Sequence, residues 1–153
     1  AVAIWAQRAT FGRLARPVAC ALRAGAVTAI VSAVGIVWLF GAPAEIMASI
    51  APRATTTPVG MAVAAQLGGI PALAAVIVLM SGVFGAMTAT PLLNLLEIRD
   101  WRARGFAVGV SAHVFGAARA FQVDQTAGAF ASLGMALNAV ATATILSIVA
   151  AVF

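Results

Sequence analysis

Charged residues are scarce in this chain of 153 residues. Only 8% of its residues are charged and 63% are hydrophobic, whereas soluble domains carry about 25% charged residues. A soluble fold of this length still exposes about 30% of the surface of its unfolded chain. The composition has too few polar residues to cover such a surface. It therefore excludes an ordinary soluble domain and predicts a protein embedded in a lipid bilayer.

Residues that bind metals or form disulfides are also rare. The chain has one cysteine, Cys20, and one histidine, His113. A single cysteine excludes an internal disulfide, and a structural zinc site needs four nitrogen or sulfur ligands. We therefore expect no metal and no cofactor.

The basic charge comes from arginine alone, because nine arginines and no lysine face four acidic residues, for a net charge of +5. A nucleic-acid-binding protein would carry such residues on a soluble face with stacking aromatic side chains. Most of these arginines instead flank hydrophobic runs, as the positive-inside rule describes. We therefore expect no nucleic-acid partner.

Three hydrophobic runs are long enough to cross a membrane, since a transmembrane helix needs about 20 residues. They cover residues 18–40, 71–96 and 127–153. Arg8, Arg13 and Arg16 precede the first run, and the stretch EIRDWRAR follows the second. We expect both arginine-rich segments to face the cytoplasm. The predicted fold is an all-α polytopic membrane protein, and because the sequence begins without methionine we expect it to lack an N-terminal portion.

Two further segments, residues 58–67 and 105–121, are too short or too interrupted to be ordinary spans. Proline and glycine bound the first, and Gly109, Ser111 and Gly116 interrupt the second. If both arginine-rich segments are cytoplasmic, the first short segment should be re-entrant or cross only half of the bilayer. Unpaired backbone groups are costly in hydrocarbon, so such breaks indicate a protein-lined or watery cavity. Two broken segments among long spans are typical of transporter binding sites, with half-helix N-termini aimed at an anion.

The stretch PRATTTPVG contains the first candidate binding residues. Thr57 is a favourable N-cap, and Pro58 suits the first position of a helix. Exposed N–H groups and the helix dipole attract carboxylate or phosphate at such an end. Thr56, Thr57 and Pro58 are therefore candidates for binding an anionic substrate. The alternative is that they only cap a helix that begins at a loop.

The second broken segment supplies further candidates on one face of a helical wheel. Ser111, His113, Gly116 and Arg119 would share this face, with the arginine reaching back toward the histidine. In this interpretation a guanidinium binds a substrate carboxylate as a fork. The alternative for Arg119 is a position near the membrane interface, where it pairs with Asp124 or snorkels to the surface. For His113 the alternatives are a hydrogen-bonded packing role and proton coupling.

The last long run carries Gly134, Asn138 and Thr142 at helical spacing, and we expect this stripe to face protein. Asn138 either forms a hydrogen bond to a neighbouring helix or makes a further contact to the substrate.

Several motifs occur in the order found in the LrgB/CidB family of membrane proteins. These are PRATTTPVG, LGGIPAL, PLLNLLEIRDWRARG, SAHVFGAARA and GAFASLGMALNA. The chain resembles this family, which includes the plastid glycolate/glycerate translocator. The resemblance implies that residues 1–153 form a single transmembrane domain of a multi-pass protein of the bacterial inner membrane.

The resemblance also implies two classes of function. The first is transport of small carboxylates such as glycolate, glycerate or pyruvate. The second is an antiholin-like role in controlling murein hydrolase activity and lysis, with an LrgA/CidA-type partner. For that role we expect an oligomer that packs through Gly82, Gly85, Gly105 and Gly109. We do not expect an enzyme, because the sequence lacks a GxSxG-like elbow and has no acid in the segment that contains its one histidine.

Overall fold

The described part of the chain is entirely helical. The structure, a computed structural model, describes residues 14–152. In this range six helices and no strand are found: α1 Ala15–Leu39, α2 Ala44–Ile50, α3 Thr57–Gln66, α4 Pro71–Leu95, α5 Trp101–Val123 and α6 Gln125–Val152. The predicted all-α fold is confirmed. Arg8 and Arg13, expected to flank the first span, and Phe153, expected to end the third, lie outside the described residues.

The three long apolar helices match the three predicted runs. Helices α1, α4 and α6 are each long and apolar enough to cross a membrane. They begin or end within a few residues of the predicted bounds, because a membrane span is set mainly by the length of its apolar run. The predicted stripe on α6 is buried at Gly134, Asn138 and Thr142.

Helices α1 and α6 run in the same direction. Near the start of α1, Val18 packs with Phe130 near the start of α6. Toward the other end, Val34 of α1 packs with Leu146 of α6. The last turns of α4 lie beside Trp101, at the start of α5. Helix α4 therefore ends where α1, α5 and α6 begin, and it runs in the opposite direction. We call the end where α1, α5 and α6 begin the arginine end, and the other the distal end.

Helices α2 and α3 form a hairpin that enters the bundle from the distal end. The backbone carbonyl of Ala54, in the turn between them, accepts a hydrogen bond from Asn138 at the middle of α6. Gln66, at the end of α3, accepts one from Ser147 near the end of α6. Residues 41–57, between the first predicted span and the first predicted short segment, thus contain a short helix and an inward turn. The predicted first broken segment is part of this hairpin.

Helix α5 forms a second hairpin, which enters from the arginine end. His113 has a non-helical backbone, with φ 40° and ψ −124°, and divides α5 into an entering arm, residues 101–112, and a returning arm, residues 114–123. Arg104 and Arg119 line the same recess, although a straight helix would separate them by about 22 Å. The predicted interruption is confirmed. The continuous helical wheel that we used for this segment is wrong, because the chain reverses at His113.

Glycines let the second hairpin pack closely on its neighbours. A Cβ atom at Gly116 would lie 2.5 Å from the carbonyl oxygen of Val108 on the entering arm. Gly105 and Gly109 lie against the backbone of Ala127 and Ala131 in α6. The glycine faces that we expected to join copies of the chain therefore serve contacts within one chain.

Candidate functional site

The tips of the two hairpins meet near the middle of the bundle, and one side chain joins them. The Nδ2 group of Asn138 donates hydrogen bonds to the carbonyl oxygens of Ala54, at 2.7 Å, and Val110, at 3.2 Å. Asn138 is fully buried. Because these bonds satisfy backbone groups at both breaks, they reduce the cost of leaving the helix at this depth.

Helix α4 holds both tips from its own middle. The hydroxyl of Ser81 lies 3.0 Å from the carbonyl oxygen of Arg53 in the first hairpin and 2.9 Å from that of Val78 in α4, and its one proton is shared between these two acceptors. In the second hairpin, Nε2 of His113 lies 3.0 Å from the carbonyl oxygen of Val78. A carbonyl can only accept, so this ring nitrogen carries a proton and donates. His113 is therefore a buried, hydrogen-bonded residue at the tip.

Gly82 makes room for the imidazole. A Cβ atom at Gly82 would lie 2.7 Å from Nε2 of His113 and would also collide with Cε1. A positive φ is uncommon for a residue with a side chain, and such strained backbone conformations cost about 1–3 kcal/mol. The Val78 bond and the space at Gly82 together stabilise this conformation of His113.

Arg53 places a guanidinium at the junction of the tips. Its side chain is half-buried, and Nη2 lies 3.4 Å from the hydroxyl oxygen of Ser32 in α1. Among residues 14–152 one ion pair is found, between Arg102 and Asp100, so no carboxylate in this part of the chain pairs with Arg53. A charge at membrane depth is costly unless a partner or a cavity receives it.

A cavity of about 560 Å³ adjoins Arg53, within the range of small-molecule sites, about 300–1,000 Å³. It lies between α1, the first tip and the entering arm of the second hairpin. Its walls are mostly alanine and other apolar residues, and Thr28, Ser32 and Ser111 add hydroxyl groups. One cation and several hydroxyls in an apolar cavity suit a small, oxygen-rich anion.

The threonine turn lies beside this cavity without lining it. Thr56, Thr57 and Pro58 follow Arg53 and Ala54 directly, but the described residues that line the cavity do not include these three. Thr56 occupies the N-cap position of α3 and Pro58 follows Thr57, the first helical residue, so the predicted start was wrong by one residue. Thr56 makes no side-chain capping bond. The positive end of α3 nevertheless lies at the tip.

Arg119 lies away from the other candidates of its segment. Its guanidinium donates to Gln122 and lines a recess with Trp101 and Arg104 at the arginine end. The predicted grouping of Ser111, His113 and Arg119 on one face fails because the chain reverses between them. Of the alternatives, the ion pair with Asp124 is not found among residues 14–152, whereas the exposed position of Arg119 at the arginine end agrees with the interface alternative.

The structure thus divides the candidates between several roles. Ser111 lines the cavity, while His113 and Asn138 bond the tips together. Gly116 provides a close contact between the arms of the second hairpin. Within the described residues, Oδ1 of Asn138 and the hydroxyl of Thr142 are buried without a hydrogen-bond partner.

Arg53 is the residue that sequence reasoning missed. It stands in APRATTTP, between two prolines and beside three threonines. The signal available was that this arginine interrupts an apolar connector without flanking a long hydrophobic run. The other arginines precede or follow such a run, lie near the end of one, as Arg23 does, or lie in a predicted short segment.

The profile of the LrgB-like family matches residues 1–152. The chain belongs to this family. It is 30% identical to the holin-like protein CidB of Staphylococcus epidermidis over 115 residues, which are 75% of this chain and 50% of the relative. It is also 30% identical to the holin-like protein CidB of Staphylococcus aureus over 114 residues, which are 74% of this chain and 50% of the relative. The uncharacterized protein YwbG of Bacillus subtilis is 35% identical over 94 residues, which are 61% of this chain and 42% of the relative.

The LrgB-like chain spans about half the length of the curated relatives that it matches. No solved structure matches it. The family and the three long apolar helices together establish a membrane protein. The resemblance found in the sequence motifs is thereby confirmed.

Proposed function

We propose that this LrgB-like protein transports small carboxylates of the glycolate, glycerate and pyruvate class through the junction of its two hairpins. The observation that carries the proposal is the position of Arg53. Its guanidinium lies where the two tips meet, beside a cavity, with no acidic partner among the described residues. A guanidinium presents a planar fork of donors that matches a carboxylate.

The helix ends at the junction favour the same kind of ligand. Helix α3 and the returning arm of α5 both begin at the tips, and each has about ten residues. The N-terminus of a helix carries about half a positive charge and unpaired N–H groups. The C-terminal ends of α2 and of the entering arm lie at the same tips and offset these dipoles, so the N-termini contribute N–H donors and the guanidinium contributes the net positive charge. Ser32 and Ser111 also line the cavity; each hydroxyl now donates to a carbonyl of its own helix, and in this proposal it turns to a remaining oxygen of a hydroxy- or keto-acid.

The opposed hairpins also support access to this site from two sides. The first hairpin fills the distal half of the bundle and the second fills the arginine half. Many secondary transporters use discontinuous helices near the bilayer midplane, and they open by moving one group of helices against another. In this proposal the tips form the barrier, and Asn138, His113 and Ser81 hold them together when the site is closed.

Uptake by the purified full-length protein in proteoliposomes tests the proposal. We expect Arg53→Gln to reduce the uptake of glycolate or pyruvate at least tenfold, since hydrogen bonds to charged groups contribute about 1.5–3 kcal/mol. Arg53→Lys should retain only part of the activity, because a point charge replaces the fork. Arg99→Gln, in the exposed loop before α5, is the matched control. Equal uptake by the Arg53→Gln protein and this control would contradict the proposal.

A second candidate function is favoured by the names of the relatives, two of which are holin-like proteins. In it the protein is antiholin-like and modulates murein hydrolase activity and lysis, as a homo-oligomer or with an LrgA/CidA-type partner. Its prediction is that cells expressing Arg53→Gln lyse as the wild type does, and that the purified protein moves no carboxylate. Both candidates place the protein in the bacterial inner membrane as a non-enzymatic component.

A further inference from the structure

The recess at the arginine end is separate from the junction of the tips. It lies between the last turns of α4, the two arms of α5 and the start of α6, with a volume of about 30 Å³. That is room for two or three water-sized groups. Arg104 on the entering arm and Arg119 on the returning arm line it together with Trp101. The remaining lining is largely apolar and includes Leu93, Val108 and Val123.

The two guanidinium groups of this recess have no carboxylate partner in the described part of the chain. Arg104 donates to the carbonyl oxygen of Ile98, and its Cζ lies 5.1 Å from the centre of the Trp101 ring. Arg119 is exposed and donates to the neutral side chain of Gln122 at 3.2 Å. Their positive charges therefore remain available to an external anion.

The nearby acids are engaged elsewhere. Asp124 caps α6 through its Oδ1 atom. Asp100 binds Arg102, whose hydrogen bonds hold the pKa of that carboxyl below its usual value. Arg102 is thus neutralised, in contrast to the two arginines of the recess. Glu97 is exposed and forms no ion pair among residues 14–152.

We propose that this recess binds the headgroup phosphate of an anionic phospholipid. The recess is too small to hold an acyl chain, and a phosphate at its open mouth would place two or three of its oxygens inside. The surrounding surface carries exposed apolar side chains, among them Leu92, Leu95 and Phe121, which suits contact with lipid tails. Trp101 is the first residue of α5, beside the loop that follows the apolar helix α4, and tryptophan is enriched at such positions near the membrane interface. Basic pockets between transmembrane helices bind anionic headgroups through the same combination of charge and apolar walls.

A headgroup in this position would join the two arms of the second hairpin. Arg104 and Arg119 carry like charges, and an anion between them converts their repulsion into two attractions. The lipid would therefore stabilise the second hairpin, whose two arms meet at His113. This role is independent of the proposed transport function.

Lipid binding to the purified full-length protein in neutral detergent tests this inference. Phosphatidylglycerol and phosphatidylcholine with the same acyl chains are compared by native mass spectrometry and by the midpoint of thermal unfolding. We expect one tightly retained phosphatidylglycerol and an unfolding midpoint several degrees higher than with phosphatidylcholine. Arg119→Gln should weaken this retention about fivefold to tenfold. Arg99→Gln, outside the recess, should retain the lipid as the wild type does, because a neutral micelle has no anionic surface.

Several results would overturn the inference. These are equal retention of the two lipids, equal losses in Arg119→Gln and Arg99→Gln, or a midpoint shift with inorganic phosphate as large as that with phosphatidylglycerol. The last result would assign the recess to a free anion. Arg119→Lys keeps the charge and loses the fork, so its retention should lie between the wild type and the glutamine variant. It gives the same test if the glutamine variant is unstable.

Discussion

Asn138 is the residue on which the two hairpins converge. Replacing it with alanine would leave the carbonyl oxygens of Ala54 and Val110 without their bonds from Nδ2. A buried polar group left unsatisfied costs about 1–3 kcal/mol, so we expect Asn138→Ala to lower the free energy of unfolding by that amount. Unfolding in mixed micelles with increasing denaturing detergent measures it.

The matched control for Asn138 is Asn94, an exposed asparagine near the end of α4. Exposed substitutions usually change stability by less than about 0.5 kcal/mol, so Asn94→Ala should unfold almost as the wild type does. Equal effects of the two variants would show that the amide of Asn138 does not hold the tips.

Gly82 is a second residue at which the addition of one atom should change the stability of the protein. An added Cβ would collide with the imidazole of His113, and overpacking of this kind costs about 1–3 kcal/mol. We therefore expect Gly82→Ala to lower the unfolding midpoint and to displace the His113 ring, which an imidazole NMR signal reports.

A Cβ atom added at Gly35, in α1, would have no neighbouring side chain or helix within 4 Å. Because alanine favours a helix by up to about 1 kcal/mol over glycine, Gly35→Ala should be neutral or stabilising. If Gly82→Ala left the unfolding midpoint as unchanged as Gly35→Ala does, α4 would not approach His113 as closely as described.

The residues of the site show where sequence reasoning ends. The stripe of Gly134, Asn138 and Thr142 was predictable, because positions four apart on a helix share a face. The choice between Arg53 and Arg119 was not. Both interrupt apolar segments, and which one reaches the centre of the bundle depends on where each hairpin reverses.

At the scale of elements, the long helices were predictable and the hairpins only in part. An apolar run of about 20 residues has one stable outcome in a bilayer, since a helix satisfies its own backbone groups. A break is harder to place. Gly109, Ser111 and Gly116 were expected to interrupt the second segment, yet the two glycines serve close packing and the reversal occurs at His113. Tertiary contacts at Val78 and Gly82 stabilise that reversal, and they are remote in sequence.

The short helix α2 was missed for a related reason. Pro43 and Pro52 bound a stretch of eight residues, AEIMASIA, which is too short to show helical periodicity. Its inward course depends on packing against the second half of α1, where Ala51 contacts Ile30 and Val34. Such contacts between an apolar loop and a membrane helix leave no distinct pattern in the sequence.

At the scale of the whole molecule, the two hairpins oppose each other across the bundle, and this arrangement fixes which loops share a side of the membrane. The loop before α5 and the turn between α5 and α6 should both lie at the arginine end, because α5 re-enters instead of crossing. The turn between α1 and α2 and the turn between α3 and α4 should both lie at the distal end.

Cysteine labelling tests this topology in a protein with Cys20→Ser. We expect an impermeant maleimide to label Arg99→Cys and Gln125→Cys from one side of the membrane, and Ala44→Cys and Ile70→Cys from the other. All four positions are exposed. If Arg99→Cys and Gln125→Cys were labelled from opposite sides, α5 would cross the membrane. His113 would then lie within a full span, and the second tip could not meet the first.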